Sequence, residues 1–151
     1  MTQVWTLKQA IEKAASYCAA QERCSPDVRS KLFEWGLSPE DVEQAVAELI
    51  VQGFLNEERF AKAFARGKFH TRQWGKKKIA YELKRKNISQ NCIRIALLEI
   101  DETEYLATIE RLIEKKSKEI RTSEPFIRKK KLCEYLLNKG FEYELILKSI
   151  D

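Results

Sequence analysis

Residues 75–100 read GKKKIAYELKRKNISQNCIRIALLEI. Two amphipathic stretches meet at Asn87. Ile79 and Leu83 stand eight and four positions before it, and Ile88, Ile93 and Leu97 stand one, six and ten after. The same five apolar positions surround Gly36, as Val28, Leu32, Leu37, Val42 and Val46, and Gly140, as Leu132, Leu136, Phe141, Ile146 and Ile150. A glycine after a helical stretch supplies a left-handed C-terminal cap, and asparagine tolerates that conformation. The spacing therefore predicts one unit of about 50 residues, used three times.

Each unit has room for three helices. Apolar residues recur with helical period almost throughout, as at Val42, Ala45, Val46, Leu49 and Ile50, and no stretch shows the alternation of a strand. Ser25-Pro26-Asp27 and Ser38-Pro39-Glu40-Asp41 each read as an N-cap oxygen, a proline at the first helical position and acids in the first turn. Pro125 also falls where a helix can begin. The expected helices are 6–22, 25–35, 38–52, 56–72, 75–86, 89–100, 102–122, 125–138 and 142–150. The expected fold is all-α: tandem three-helix repeats over 1–55, 56–101 and 102–151, stacked as an elongated, curved array. Such an array predicts a radius of gyration in solution scattering clearly above the roughly 15 Å of a compact chain of this length. A value at or below the compact figure would contradict it.

Composition narrows the function classes. The chain has 151 residues, 34% charged and 44% hydrophobic, with only 5 Gly and 3 Pro, too few turn residues for an all-β protein. Cys18, Cys24, Cys92 and Cys133 form no C-x-x-C pair, and His70 is the single histidine, so no metal site is expected. The N-terminal MTQVWTLKQAIEKAA lacks the pattern of a secretory leader, and no apolar run approaches the roughly 20 residues that span a bilayer. The expectation is a cytoplasmic protein with reduced, packed cysteines and no membrane association. No glycine-rich phosphate loop occurs, and nothing assembles a nucleophile, a base and an oxyanion donor. His70 sits in a basic stretch at a helix end, suited to capping or polyanion contact rather than general-base work. The reading is a binding or regulatory protein, not an enzyme, with no cofactor.

The net charge of +5 is unevenly placed. Residues 61–90 hold ten basic side chains and one acid, Glu82, for a net +9, while residues 1–60 are net −4. At 100° per residue, Lys77, Lys78, Tyr81, Lys84 and Arg85 lie opposite Ile79 and Leu83, with Tyr81 at the centre. Lys76, and ahead of it Arg66, Lys68, Arg72 and Trp74, extend the basic stretch. A basic helix face with a central ring suits a polyanion, whose phosphates it neutralises and whose bases it stacks. The alternative is a solvated face, which leaves clustered like charges without acidic partners. A second run, Arg128, Lys129, Lys130 and Lys131, spreads around its helix, since four consecutive residues cannot share one face.

Three motifs resemble those of a known family. Gly53-Phe54-Leu55-Asn56-Glu57-Glu58-Arg59-Phe60-Ala61 resembles the G-Y/F-L-N-D-x-R-F-A signature of the RecX family, bacterial regulators of the recombinase RecA. Gly75 to Leu83 with Lys86-Asn87-Ile88 resembles its G-P-x-x-I-x-x-E-L-x-x-K-G-I, and Leu136-Leu137-Asn138-Lys139-Gly140-Phe141 its L-x-R-R-G-F. The departures are Glu57 for aspartate, Lys76 for proline, Asn87 for glycine, and Cys24 inserted between Arg23 and Ser25. The resemblance covers essentially the whole chain. It implies tandem three-helix repeats that bind the RecA nucleoprotein filament along its groove. It further implies inhibition of ATP hydrolysis and strand exchange, or filament disassembly, in recombination and DNA repair. Some members also bind DNA, so direct contact with single- or double-stranded DNA is expected, by a monomer. The other function left open is a helical nucleic-acid-binding module that acts without RecA.

Overall fold

In a computed structural model, residues 5–150 are described. They form α1 (Leu7–Ala20), α2 (Ser25–Glu34), α3 (Pro39–Val51), α4 (Glu57–Arg72), α5 (Lys76–Arg85), α6 (Gln90–Leu97), α7 (Glu102–Glu119), α8 (Pro125–Asn138) and α9 (Tyr143–Ile150). No strand occurs among the described residues. The helices pack in threes: α1 with α2 and α3, α4 with α5 and α6, α7 with α8 and α9.

The repeated turn is one backbone motif three times over. Gly36, Asn87 and Gly140 have φ of 90°, 62° and 96°. The residue after each donates its N–H back five positions, Leu37 to Leu32 O at 3.2 Å, Ile88 to Leu83 O at 3.1 Å and Phe141 to Leu136 O at 3.1 Å. Each turn residue also donates three positions back, to Phe33, Lys84 and Leu137 at 3.0 Å. This paired 6→1 and 5→2 arrangement satisfies carbonyls that a helix end otherwise leaves open. Leu32, Leu83 and Leu136 are fully buried at equivalent positions.

Helix ends differ from the expected ones where local chemistry intervenes. The N-cap of α2 is Cys24, not Ser25: its thiol donates to the Asp27 carboxylate at 3.0 Å, and burial and that bond push the thiol pKa up. Residues 98–100 close α6 early as tight turns, with Leu98, Glu99 and Ile100 each donating three residues back. α7 ends at Glu119 because Ile120 is extended and the Arg128 guanidinium takes the carbonyls of Ser117, Ile120 and Thr122.

Among the described residues the interior forms two cores rather than three. Ala10, Ala14, Val28, Leu32, Val42, Ala45 and Leu49 belong to a core of the first unit. A second core runs without interruption from Phe60, Phe69, Ile79 and Leu83 of the second unit to Tyr105, Ile109, Leu136, Phe141 and Ile146 of the third. The accessible surface of 9550 Å² exceeds the roughly 8000 Å² of a compact protein of 17.7 kDa, as an extended arrangement requires.

The second and third units are joined through the start of α5. Its cap is Gly75, which has no side chain to bond the first-turn N–H groups. The third unit bonds them instead. Gly75 N–H donates to Lys139 O at 2.7 Å, Lys77 N–H to Gly140 O at 3.0 Å, and Lys76 N–H to the buried Tyr105 hydroxyl at 2.9 Å. That hydroxyl in turn donates to the Glu142 carboxylate. Burial and the Glu142 bond both hold the phenol protonated, its pKa well above the ordinary value. The backbones approach so closely that a Cβ on Gly75 would fall inside 3.0 Å of Gly140.

Candidate nucleic-acid interface

The joint between α4, α5 and the α8–α9 turn aligns the basic side chains. α4 ends at Gln73 in the left-handed conformation, and Trp74 N–H donates back to Lys68 O at 3.2 Å. This hook folds Trp74 against Phe64, ring centroids 6.3 Å apart and edge to face. Lys68 Nζ lies 5.0 Å from the Trp74 ring and 5.4 Å from Phe64, and Lys78 Nζ lies 4.6 Å from Trp74. Lys86 Nζ is 6.0 Å from Phe64. From the third unit, Lys139 Nζ donates to Arg72 O at 3.3 Å and lies 5.7 Å from the Tyr135 ring, which Lys116 approaches to 4.9 Å.

The result is a ladder of alternating cations and rings: Lys86, Phe64, Lys68, Trp74, Lys78, then Lys139, Tyr135 and Lys116. Each exposed cation–ring contact contributes about 0.5–1 kcal/mol. Charge repulsion works against them. The Lys139 ammonium pKa is lowered, first by burial and then by Lys78 and Lys115. An approaching phosphate offsets the repulsion among these ammonium groups.

The expected site residues divide. Ile79 and Leu83 are buried and Tyr81 is 61% exposed, so α5 is oriented as the spacing requires. Tyr81 forms a ridge: by helical angle Lys78 and Arg85 fall on one flank and Lys77 and Lys84 on the other. Only the first flank adjoins Trp74, through Lys78. Lys76 turns away, its ammonium 3.1 Å from Glu102 and 4.6 Å from the Tyr105 ring. Arg66 pairs with Glu99 at 3.6 Å and Arg85 with Glu82 at 3.4 Å. Arg72 is exposed at the end of α4. Arg128 is engaged by three carbonyls of the α7–α8 connection, while Lys129, Lys130 and Lys131 are exposed on α8. Lys131 shares a cleft with Lys116, Arg121 and Tyr135. His70 faces Glu104 at 3.3 Å.

Sequence reasoning missed Lys86, Lys139, Lys116 and Phe64. A signal for two of them was present: Lys86 and Lys139 occupy the same repeat position, immediately before the left-handed turn residue. No cluster able to hold a metal ion occurs among the described residues, and none of their helices is long and apolar enough to cross a membrane.

Residues 56–97 match the family model of the RecX second three-helix domain, and residues 102–150 match that of the third. A regulatory protein RecX of Pelodictyon phaeoclathratiforme is 30% identical over 137 residues, covering 91% of this chain and 84% of its own. The chain belongs to the RecX family. A regulatory protein RecX of Prosthecochloris aestuarii is 28% identical over 152 residues, 95% of this chain and 93% of its own. A regulatory protein RecX of Lactobacillus johnsonii is 29% identical over 136 residues, and this chain spans 50% of its length. The crystal structure of RecX from Lactobacillus salivarius superposes with a TM-score of 0.85 at 24% identity, covering 95% of this chain and 94% of that one. The fold is that of a RecX protein, and the family's curated members are regulatory proteins by name.

Proposed function

We propose that this protein is a non-enzymatic regulator that binds the RecA nucleoprotein filament and inhibits its ATPase and strand exchange. The observation that carries this reading is the ladder around Trp74. Lys68 and Lys78 of the second unit flank that ring, and Lys139 of the third lies within electrostatic reach of Lys78 and beside Tyr135; none of the three has an acidic partner among the described residues. That combination suits a nucleic-acid strand, with phosphates on the ammonium groups and a base against an aromatic face. Membership in a family of regulatory proteins named RecX supports the filament as the form in which the strand is met. An extended body whose second and third units share one core fits a target that repeats along an axis. The protein acts in this reading as a monomer in the cytoplasm.

The decisive experiment is the ATPase rate of RecA from the same organism on single-stranded DNA. Substoichiometric amounts of this protein are expected to lower it severalfold. An unchanged rate, with the control filament fully active, refutes the filament reading. A second reading, a nucleic-acid-binding module independent of RecA, draws on the same stacking surface. Tight, salt-sensitive binding to naked oligonucleotide together with an unchanged ATPase rate selects it.

A further inference from the structure

The flank of α5 that faces α6 differs in kind from the flank beside Trp74. A groove of about 470 Å³ runs between the two helices. Ala80, Ile88 and Ile93 line its apolar floor, and the exposed Lys77, Tyr81 and Lys84 form its rim. No acidic residue lines it. The other clefts described on the surface each contain acids: Glu57 and Glu58, Glu22 and Asp27, Glu12 and Glu48, Glu119 and Glu134. Lys77 and Lys84 have no acidic partner among the described residues, whereas Lys76 and Arg85 on the same helix do.

We propose that this groove seats an extended acidic peptide segment of a partner protein, with one apolar side chain on the floor and carboxylates at Lys77 and Lys84. Three features select that occupant. The two lysines are two helical turns apart, roughly 10 Å, which is the span of about three extended residues. An aliphatic floor rewards an apolar side chain, which phosphates and ribose do not offer. Gln90, also lining the groove, carries both a donor and an acceptor for a peptide group. One helix then meets two partners, nucleic acid beside Trp74 and protein beside Ile93, separated by the Tyr81 ridge. The filament reading enters only in naming the recombinase as the protein that supplies the segment.

The test uses the full chain and a labelled peptide in which glutamates flank a central Phe-Leu pair, read by fluorescence anisotropy. The wild-type protein is expected to bind it at least about tenfold more tightly than the same peptide with Ser-Ser at the centre. Ala80→Phe fills the floor and Ile93→Ser removes its apolar wall, both without a change of charge. Each is expected to weaken the peptide about tenfold or more while a single-stranded oligonucleotide binds as before. Equal binding of the two peptides to the wild-type protein overturns the proposal whatever the variants do. So does full displacement of the peptide by the oligonucleotide, which would make the groove part of the polyanion face. The ATPase assay contains no peptide, so a failure there is distinguishable from a failure here.

Discussion

Alanine at Gly140 is expected to destabilise the second and third units by about 3 kcal/mol or more, one of the largest losses available from a single methyl group. Two penalties coincide. The residue has φ of 96°, where a side chain costs about 1–2 kcal/mol. The added Cβ would also fall within 3.0 Å of the Lys78 backbone and Cβ, parts of α5 that cannot swing aside. Gly75→Ala meets the Gly140 backbone in the same way and is expected to match it. Two other glycines serve as controls. Gly53 has φ of 81° but open space, so its alanine variant should lose only about 1–2 kcal/mol. Gly67 lies inside α4 with nothing within 4 Å, so Gly67→Ala should gain up to about 1 kcal/mol. Thermal unfolding reads the series, at roughly 2–4 °C per kcal/mol. The first unit has its own core and is expected to keep its own transition in the Gly140 and Gly75 variants. A Gly140→Ala protein that melts like the Gly53→Ala protein would show that the joint yields without resistance.

The contrast among these glycines marks how far the amino-acid sequence could be read. Gly36, Asn87 and Gly140 were recognisable because a left-handed cap is local chemistry and repeats in register with five apolar positions. The joining of Gly75 to Gly140 was not, because they lie far apart in the chain and their approach depends on how two units dock. The same limit applies to the site. Residue spacing turned Tyr81 outward and buried Ile79 and Leu83, since helical geometry alone decides that. It could not say that Lys76 meets Glu102, or that Arg128 closes the α7–α8 connection, since both partners come from tertiary packing. Counting charge along the chain gathered Lys77, Lys78, Lys84 and Arg85 into one face, which the Tyr81 ridge divides. Lys139 stands outside every basic run of the sequence, and only its repeat position matches that of Lys86. It reaches Lys78 only through the contact that fixes Gly140 against α5.

Reversing Lys68, Lys78 and Lys139 to glutamate together is expected to lower affinity for a single-stranded oligonucleotide by about 100-fold or more. If the three contact phosphates, the slope of log K against log salt should also shrink by about 2. Trp74→Ala removes a stacking surface worth about 1–3 kcal/mol per base and should weaken binding with the salt slope unchanged. The two variants therefore separate charge from stacking in one titration. Replacing the three lysines with methionine keeps most of each aliphatic stem over its ring, so a loss in that variant reports charge rather than packing. The pH dependence supplies an independent signature. The Lys139 pKa lies below the ordinary 10.5, so its ammonium is lost earlier than an ordinary lysine's as pH rises. Oligonucleotide affinity should begin to fall through that lowered pKa, and Lys139→Met should remove this early limb. Stability moves the opposite way. The folded state disfavours the charged form, so the fold gains stability as pH rises from the lowered Lys139 pKa and the gain is complete above 10.5. Lys139→Met should accordingly be slightly more stable than the wild type near neutral pH and bind more weakly, the trade expected where a like-charged cluster is kept for its ligand. A triple-glutamate protein that stays helical and binds oligonucleotide like the wild type would remove the ladder from the interface altogether.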